Sequence, residues 1–347
     1  MSTIQKILEL NPVVTWDIPK NVPTGGPIMG IELELENIRD WSDWEYGPFI
    51  RKEDGSLRNS GSEFVSLPLG SLALSYYVED FYKRNRVNAS HISERCSVHV
   101  HLNCQDLSIE QVASLCKVYQ VFERMLFNFV GDDRDKSIFC VPWHQTNITS
   151  REIFTTPLRI GNFKSWYKYT ALNLLPLFSY GTIEFRHMAG QPSYEPIVQW
   201  INLIVAMRKF VVENTADQIE NLLIGLNTTS QYDMLVDRVF GEYAQVVKCE
   251  GYKTCLEEGV LHLKYMLFEN FHPTKKPLSS FKWDTGTTVT LNDVGANVTF
   301  EEARQRIADM ANQFAARPDG VFVAPPRAEP VAPRPRVNPA PRRRNPL

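Results

Sequence analysis

Seven side chains in this sequence have types and spacings that could do chemistry together: Glu32, Glu34, Glu63, His99, His101, Glu184 and Arg186. Glu32 and Glu34 stand two apart in GIELE, His99 and His101 two apart in CSVHVHLN, and Glu184 and Arg186 two apart in GTIEFRHMAG. A spacing of two places both members of a pair on one face of a strand, with aliphatic residues on the other. Taken singly, each strand reads most simply as part of an antiparallel sheet with one face in water. The choice of residues shifts that reading for the set, because solvent faces mix Lys, Thr, Ser and Glu, whereas three of these strands offer carboxylate or imidazole without a lysine. Neighbouring glutamates repel unless a cation sits between them. Oxygen ligands with imidazole suit Mg²⁺ or Mn²⁺ better than zinc, and paired ions bridging a nucleotide's phosphates are the usual reason for so many ligands in one cleft.

The elements that must position these groups follow from the same periodicities. Ile31, Leu33 and Leu35 alternate with Glu32, Glu34 and Glu36, which predicts a half-buried strand. A turn-rich stretch with Asp54-Gly55 follows, and Glu63 to Leu67 is expected as the hairpin partner of the first strand. Residues Ser71 to Asn88 read as a helix with Leu72, Tyr76, Val78 and Phe81 among its apolar positions. Ser97 to Leu102 returns to alternation, and Ser108 is the expected N-cap of a long buried helix. Tyr169 to Pro176 and Gly181 to Arg186 read as a strand pair joined by a short loop, with Ile183 and Phe185 facing away from Glu184 and Arg186. Glu195 to Val212, Ala216 to about Phe271 and Thr299 to Ala316 read as helical, the last with Thr299 and Glu302 in a capping-box pattern.

Composition narrows the classes. With 347 residues, 43% hydrophobic and 22% charged, the chain can bury a sizeable core. It holds no apolar run long enough to span a bilayer, and MSTIQKILELNPVV is too polar for a signal peptide, so a cytoplasmic location is expected. Six scattered cysteines without a CxxC pair speak against a disulfide framework or a structural zinc site; Cys249 and Cys255 alone are spaced to meet. The net charge is −3, but residues Pro325 to Leu347 carry six arginines and one glutamate, which leaves −8 for the rest. An acidic body argues against nucleic acid as the main partner, except weakly through that tail, and suits a carboxylate-lined cation cleft. The Pro/Arg/Ala composition of 325–347 predicts disorder. Walker-type, GxSxG and HExxH signatures are absent from the sequence.

In order along the chain, GIELE, DGS…GSEFVSLPL, CSVHVHLN and GTIEFRHMAG resemble the amidoligase family of bacteria and phages, within the glutamine synthetase and glutamate-cysteine ligase superfamily. The resemblance runs from Gly30 to Met207. It implies an α+β fold whose curved antiparallel sheet forms a glutamine synthetase-like cleft packed on helices, with a helical C-terminal region. It also implies an ADP-forming, ATP- and Mg²⁺- (or Mn²⁺-) dependent ligase that joins a carboxylate to an amine through an acyl phosphate, acting on small-molecule or peptide substrates. By the same resemblance Glu32, Glu34, Glu63, His99 and Glu184 would be metal ligands. His101 and Arg186 would meet the nucleotide and the transferred phosphoryl group, and Asn173 would be a catalytic or substrate-contacting amide.

Independently of the family, a carboxylate becomes a good electrophile once phosphorylated, and an arginine can hold the phosphate bidentately. Other positions read as structural: Asp54 as a turn residue, His187 as a core histidine, and Lys168 and Arg159 as solvated charges. Phe163, Trp166 and Tyr167 are aromatic residues that could stack on a base, but such residues more often build cores. The expected organisation is a catalytic core at 1–215, a mostly helical part at 216–324 that shapes specificity, and the tail at 325–347. Two alternatives stand beside the ligase: a metal-dependent hydrolase built on His99, His101 and Glu184, and a non-catalytic phage structural or interaction protein that docks through its tail.

Overall fold

Alternation in the first strand, β1 (Ile28–Leu35), sends Met29, Ile31, Leu33 and Leu35 into the core and leaves Glu32 and Glu34 on the other face. The computed structural model describes residues 2–268, apart from 39–43, 132, 133, 138, 144–165, 167 and 227. The sequence-predicted helix at Thr299–Ala316, the tail, and Arg159, Phe163 and Tyr167 therefore lie outside the described residues.

Among the described residues, seven strands make one open, antiparallel sheet. Its order is β2 (Phe49–Lys52), β3 (Ser62–Ser66), β1, β5 (Ser97–Asn103), β7 (Thr182–Ala189) and β6 (Leu172–Asn173), with the two-residue β4 (Leu69–Gly70) pairing the start of β1. β3 does pair with β1, but not as a simple hairpin, because β2 intervenes in sequence and adds to the outer side of β3. The segment expected as a strand at Tyr169–Pro176 forms only the two residues of β6. The Leu172 carbonyl accepts from the Trp143 and Trp166 indoles and the Thr170 hydroxyl. Asn173 Oδ1 then caps the Leu175 amide, and Pro176 starts a short helix, α4 (Pro176–Tyr180), where a loop was expected.

The aliphatic face of the sheet packs on α2 (Ser71–Arg84), α3 (Ile109–Val130) and α5 (Glu195–Glu213). α2 ends short of Asn88, where the Asn85 side-chain amide binds the Phe81 carbonyl and Arg86 turns to positive φ. Ser108 caps α3 as expected, in a reciprocal box with Gln111. α1 (Ile4–Leu8) docks through backbone bonds to Leu107 and Gln105. Beyond these lie α6 (Ala216–Ile224), α7 (Thr229–Phe240), α8 (Ala244–Val247) and α9 (Tyr252–Phe268), stacked on α3 and α5 rather than on the sheet. With helices on both sides, α3 is buried almost all round, and the core runs from Ile4 to Leu263. Among the described residues, no helix is long and apolar enough to cross a membrane.

Candidate functional site

The face of the sheet opposite these helices gathers all the sequence-predicted groups. Glu32 lies opposite His99, Glu34 opposite Glu63, His101 opposite Glu184, and Glu184 opposite Asn173. Between β5 and β7 the register shifts, so that Arg186 and His187 together stand beside His99. The bulge lets Phe185, His187 and Met188 all turn into the core while Arg186 keeps to the cleft. This site is walled in: His99 is 5% and Glu184 4% exposed.

Two groups of ligand-type atoms form, each within 4.8 Å: Glu32, His101 and Glu184, and beside them Glu34, Asp54 and Glu63. His101 Nε2 is 3.4 Å from Glu32 Oε1, and its Nδ1 is 3.0 Å from the Thr182 hydroxyl. His99 reaches the same carboxylates through Nδ1, 3.0 Å from Glu32 Oε2 and 3.6 Å from Glu184 Oε1. The geometry thus groups His101, expected on the phosphoryl side, with two of the expected metal ligands, and sets His99 just behind them. Arg186 donates to Glu184 Oε1 and, through Nε, to the Phe139 carbonyl at 3.3 Å. Asn173 is a buried amide, its Nδ2 2.6 Å from Glu184 Oε2 and its Oδ1 on the Leu175 amide. Both ends are occupied within the protein, so Asn173 holds Glu184 rather than reaching into the cleft.

Electrostatics separate the carboxylates. Burial raises Glu32, but hydrogen bonds and charge from His101 and His99 outweigh it and hold Glu32 well below the usual carboxylate range. Glu184 is likewise lowered, against burial, by Arg186, His101 and His99. In the second group burial raises Glu34. Burial and the charges of Glu32, Glu34 and Asp54 push Glu63 up to about 8. That is a site with more negative charge than its side chains neutralise, and its oxygen-rich donor set fits a hard divalent cation.

Several site residues escaped the sequence reading. Asp54 keeps its turn role, accepting from the Ser56 amide at 2.7 Å, and also joins the second group. Lys168 is half-buried, its ammonium 4.8 Å from the Tyr169 ring centroid; burial and the Arg186 charge lower its pKa, while the charges of Glu184 and Asp54 raise it. Ser97 and Thr182 lie two residues before His99 and Glu184, a strand-period signal that was available. Other readings hold as structure. His187 is fully buried, bonded to the Tyr119 hydroxyl at 2.8 Å, and its pKa falls to about 3 through burial. Trp166 packs on Trp143 as core, and Glu36 turns away to accept from the Arg58 amide. All six cysteines are free thiols; the Cys249 and Cys255 sulfurs share the Asn128 amide. The described part of the helical region expected to shape specificity, α6 to α9, supplies none of these cleft residues.

Residues 83–208 match the family model described as "Putative amidoligase enzyme". That stretch contains His99, His101, Asn173, Glu184 and Arg186, while Glu32, Glu34, Asp54 and Glu63 precede it and join only through the sheet. Among solved structures, the bifunctional glutathione synthetase from Pasteurella multocida aligns at 10% identity with a TM-score of 0.30, covering 69% of this chain and 48% of that one. The chain spans about half that protein's length, and so slight a likeness carries no argument. No curated protein matches the sequence.

Proposed function

We propose, from the match of residues 83–208 to an amidoligase family, that the cleft is a ligase site of the glutamine synthetase type, joining a carboxylate to an amine with ATP converted to ADP. The observation that carries this reading is the pair of adjacent ligand groups on one sheet face, with Arg186 bonded to Glu184 of the first. Glu32, Glu184 and His101, with His99 beside them, would hold one Mg²⁺ or Mn²⁺, and Glu34, Asp54 and Glu63 another. Such ions, when bound, neutralise phosphate charge and orient the phosphates for transfer.

The chain's own residues do the rest. Arg186 is fixed by Glu184 and the Phe139 carbonyl, which leaves N–H groups to receive phosphoryl oxygen as charge grows there. Lys168 adds a second cation at that end, where an anionic carboxylate substrate is drawn in. Asn173 locks Glu184 in place without being consumed as a ligand. The amine then attacks the carbonyl carbon of the acyl phosphate, forming the amide and releasing phosphate. The substrates are small-molecule or peptide carboxylates and amines.

Incubation with Mg-ATP and mixtures of carboxylates and amines is expected to give ADP and phosphate only when both substrates are present. If no mixture gives ADP and calorimetry detects no ATP binding, the ligase reading fails. Tightly held zinc with ATP-independent turnover would move the assignment to a hydrolase.

A further inference from the structure

Ser97 has one hydroxyl proton and two neighbours that could take it. Its Oγ lies 2.5 Å from Glu34 Oε2 and 3.0 Å from His99 Nε2. The Ser97 backbone N–H already donates to the same Glu34 oxygen at 2.8 Å, which marks that oxygen as the acceptor. The shorter contact, to a carboxylate oxygen, therefore takes the proton. Ser97 Oγ is left with only lone pairs toward His99, so Nε2 must carry a hydrogen and donate it. The other ring nitrogen, Nδ1, then points between Glu32 Oε2 and Glu184 Oε1, at 3.0 and 3.6 Å. A nitrogen lone pair that faces two carboxylate oxygens completes a donor set for a cation among the three atoms.

We infer that Ser97 is a positioning residue that fixes His99 with hydrogen on Nε2, so that Nδ1 is the nitrogen presented to the cation shared by Glu32 and Glu184. The inference rests on the cation-dependent reading above and adds to it a residue and an atom. His101 does the reverse: its Nδ1 is tied to Thr182, and its Nε2 faces Glu32. The two histidines of one strand thus offer opposite nitrogens to one carboxylate. Ser97 also ties this ring to Glu34 of the second ligand group, so one hydroxyl sets the geometry of both.

The test uses the full chain. Calorimetric titration with Mn²⁺ should show Ser97→Ala binding about 10- to 100-fold more weakly than wild type, the usual cost of removing an outer hydrogen-bond partner of a metal-bound histidine. Ser97→Thr, which keeps the hydroxyl, should restore most of the affinity. The Ser97 amide still holds Glu34 in both variants, but Ser97→Ala also removes the hydroxyl's bond to Glu34, so the spectra that follow assign the effect to His99. Long-range ¹H–¹⁵N spectra of Mg²⁺-saturated, ¹⁵N-histidine-labelled wild type, with His99 assigned by His99→Gln, should show hydrogen on Nε2 and none on Nδ1. Unchanged Mn²⁺ affinity in Ser97→Ala, or hydrogen on Nδ1 in the loaded wild type, overturns the inference alone. If wild type binds neither Mn²⁺ nor Mg²⁺, the ligase reading falls and this inference with it. Should Ser97→Ala fail to fold, the wild-type spectrum still decides.

Discussion

Glu63 gives the sharpest link between the cleft's charge and a measurable quantity. In the folded, metal-free protein it ionises near pH 8, against an ordinary value of 4.5, because of burial and the nearby charges of Glu32, Glu34 and Asp54. The native state thus keeps a proton that the unfolded chain gives up between those values. Its contribution to stability is intact below about pH 4.5 and is lost as pH rises through 8. At about 1.4 kcal/mol per pH unit the full difference is about 5 kcal/mol. Glu63 is only partly buried, so solvent screening brings this to about 2 kcal/mol. Glu63→Gln should therefore stabilise the EDTA-treated protein by about 2 kcal/mol at pH 9 and by nearly nothing at pH 4, as read from urea unfolding. The same proton must leave when a cation binds. At pH 7 about 0.9 of it is present, so Mg²⁺ titrations in buffers of different ionisation enthalpy should show at least that much release. His101, whose pKa is raised against burial by Glu32 and Glu184, adds to the release. Glu63→Gln should remove about 0.9 proton from the slope. A wild-type slope near zero, or equal stability of Glu63→Gln and wild type at pH 9, refutes the charge argument.

Other perturbations separate chemistry from scaffold. Glu184→Ala should lower any ligase rate by about 10²- to 10³-fold while the sheet still forms, checked by turnover beside circular dichroism. Asn173→Ala leaves a buried Glu184 oxygen without its partner and should cost about 1–3 kcal/mol in denaturant unfolding, together with a loss of cation affinity. His187, with its pKa near 3 against 6.5, is neutral in the fold, so the protein should lose about 1.4 kcal/mol per pH unit through this group as pH falls from 6.5 toward 3; because other site groups titrate over the same range, the effect is read as the difference in urea-unfolding pH profiles between wild type and His187→Gln, and parallel profiles would contradict its burial. Gly259→Ala puts a Cβ 2.1 Å from the Val121 carbonyl oxygen and should part α9 from α3, lowering stability by about 1–3 kcal/mol in thermal melts.

The alternation of apolar and acidic or imidazole residues made β1, β5 and β7 legible, together with the face on which Glu32, Glu34, His99, His101, Glu184 and Arg186 fall, because a strand's side-chain period is local and covalent. Ser108 announced α3 for the same local reason, through its cap with Gln111. Other features needed the folded chain. β2 is too short and mixed to show a period, and β6 stops where two tryptophans and a threonine claim the Leu172 carbonyl from outside the strand. Asp54 reads as a turn residue, which it is, and becomes a neighbour of Glu34 and Glu63 only because its loop folds back over the sheet. Which nitrogen each histidine shows to the cleft depends on Ser97 and Thr182 holding particular distances across strands. Sequence alone decided which groups share a face; tertiary structure decided which of them meet, since register, bulge and loop closure are set by long-range packing that no local period encodes.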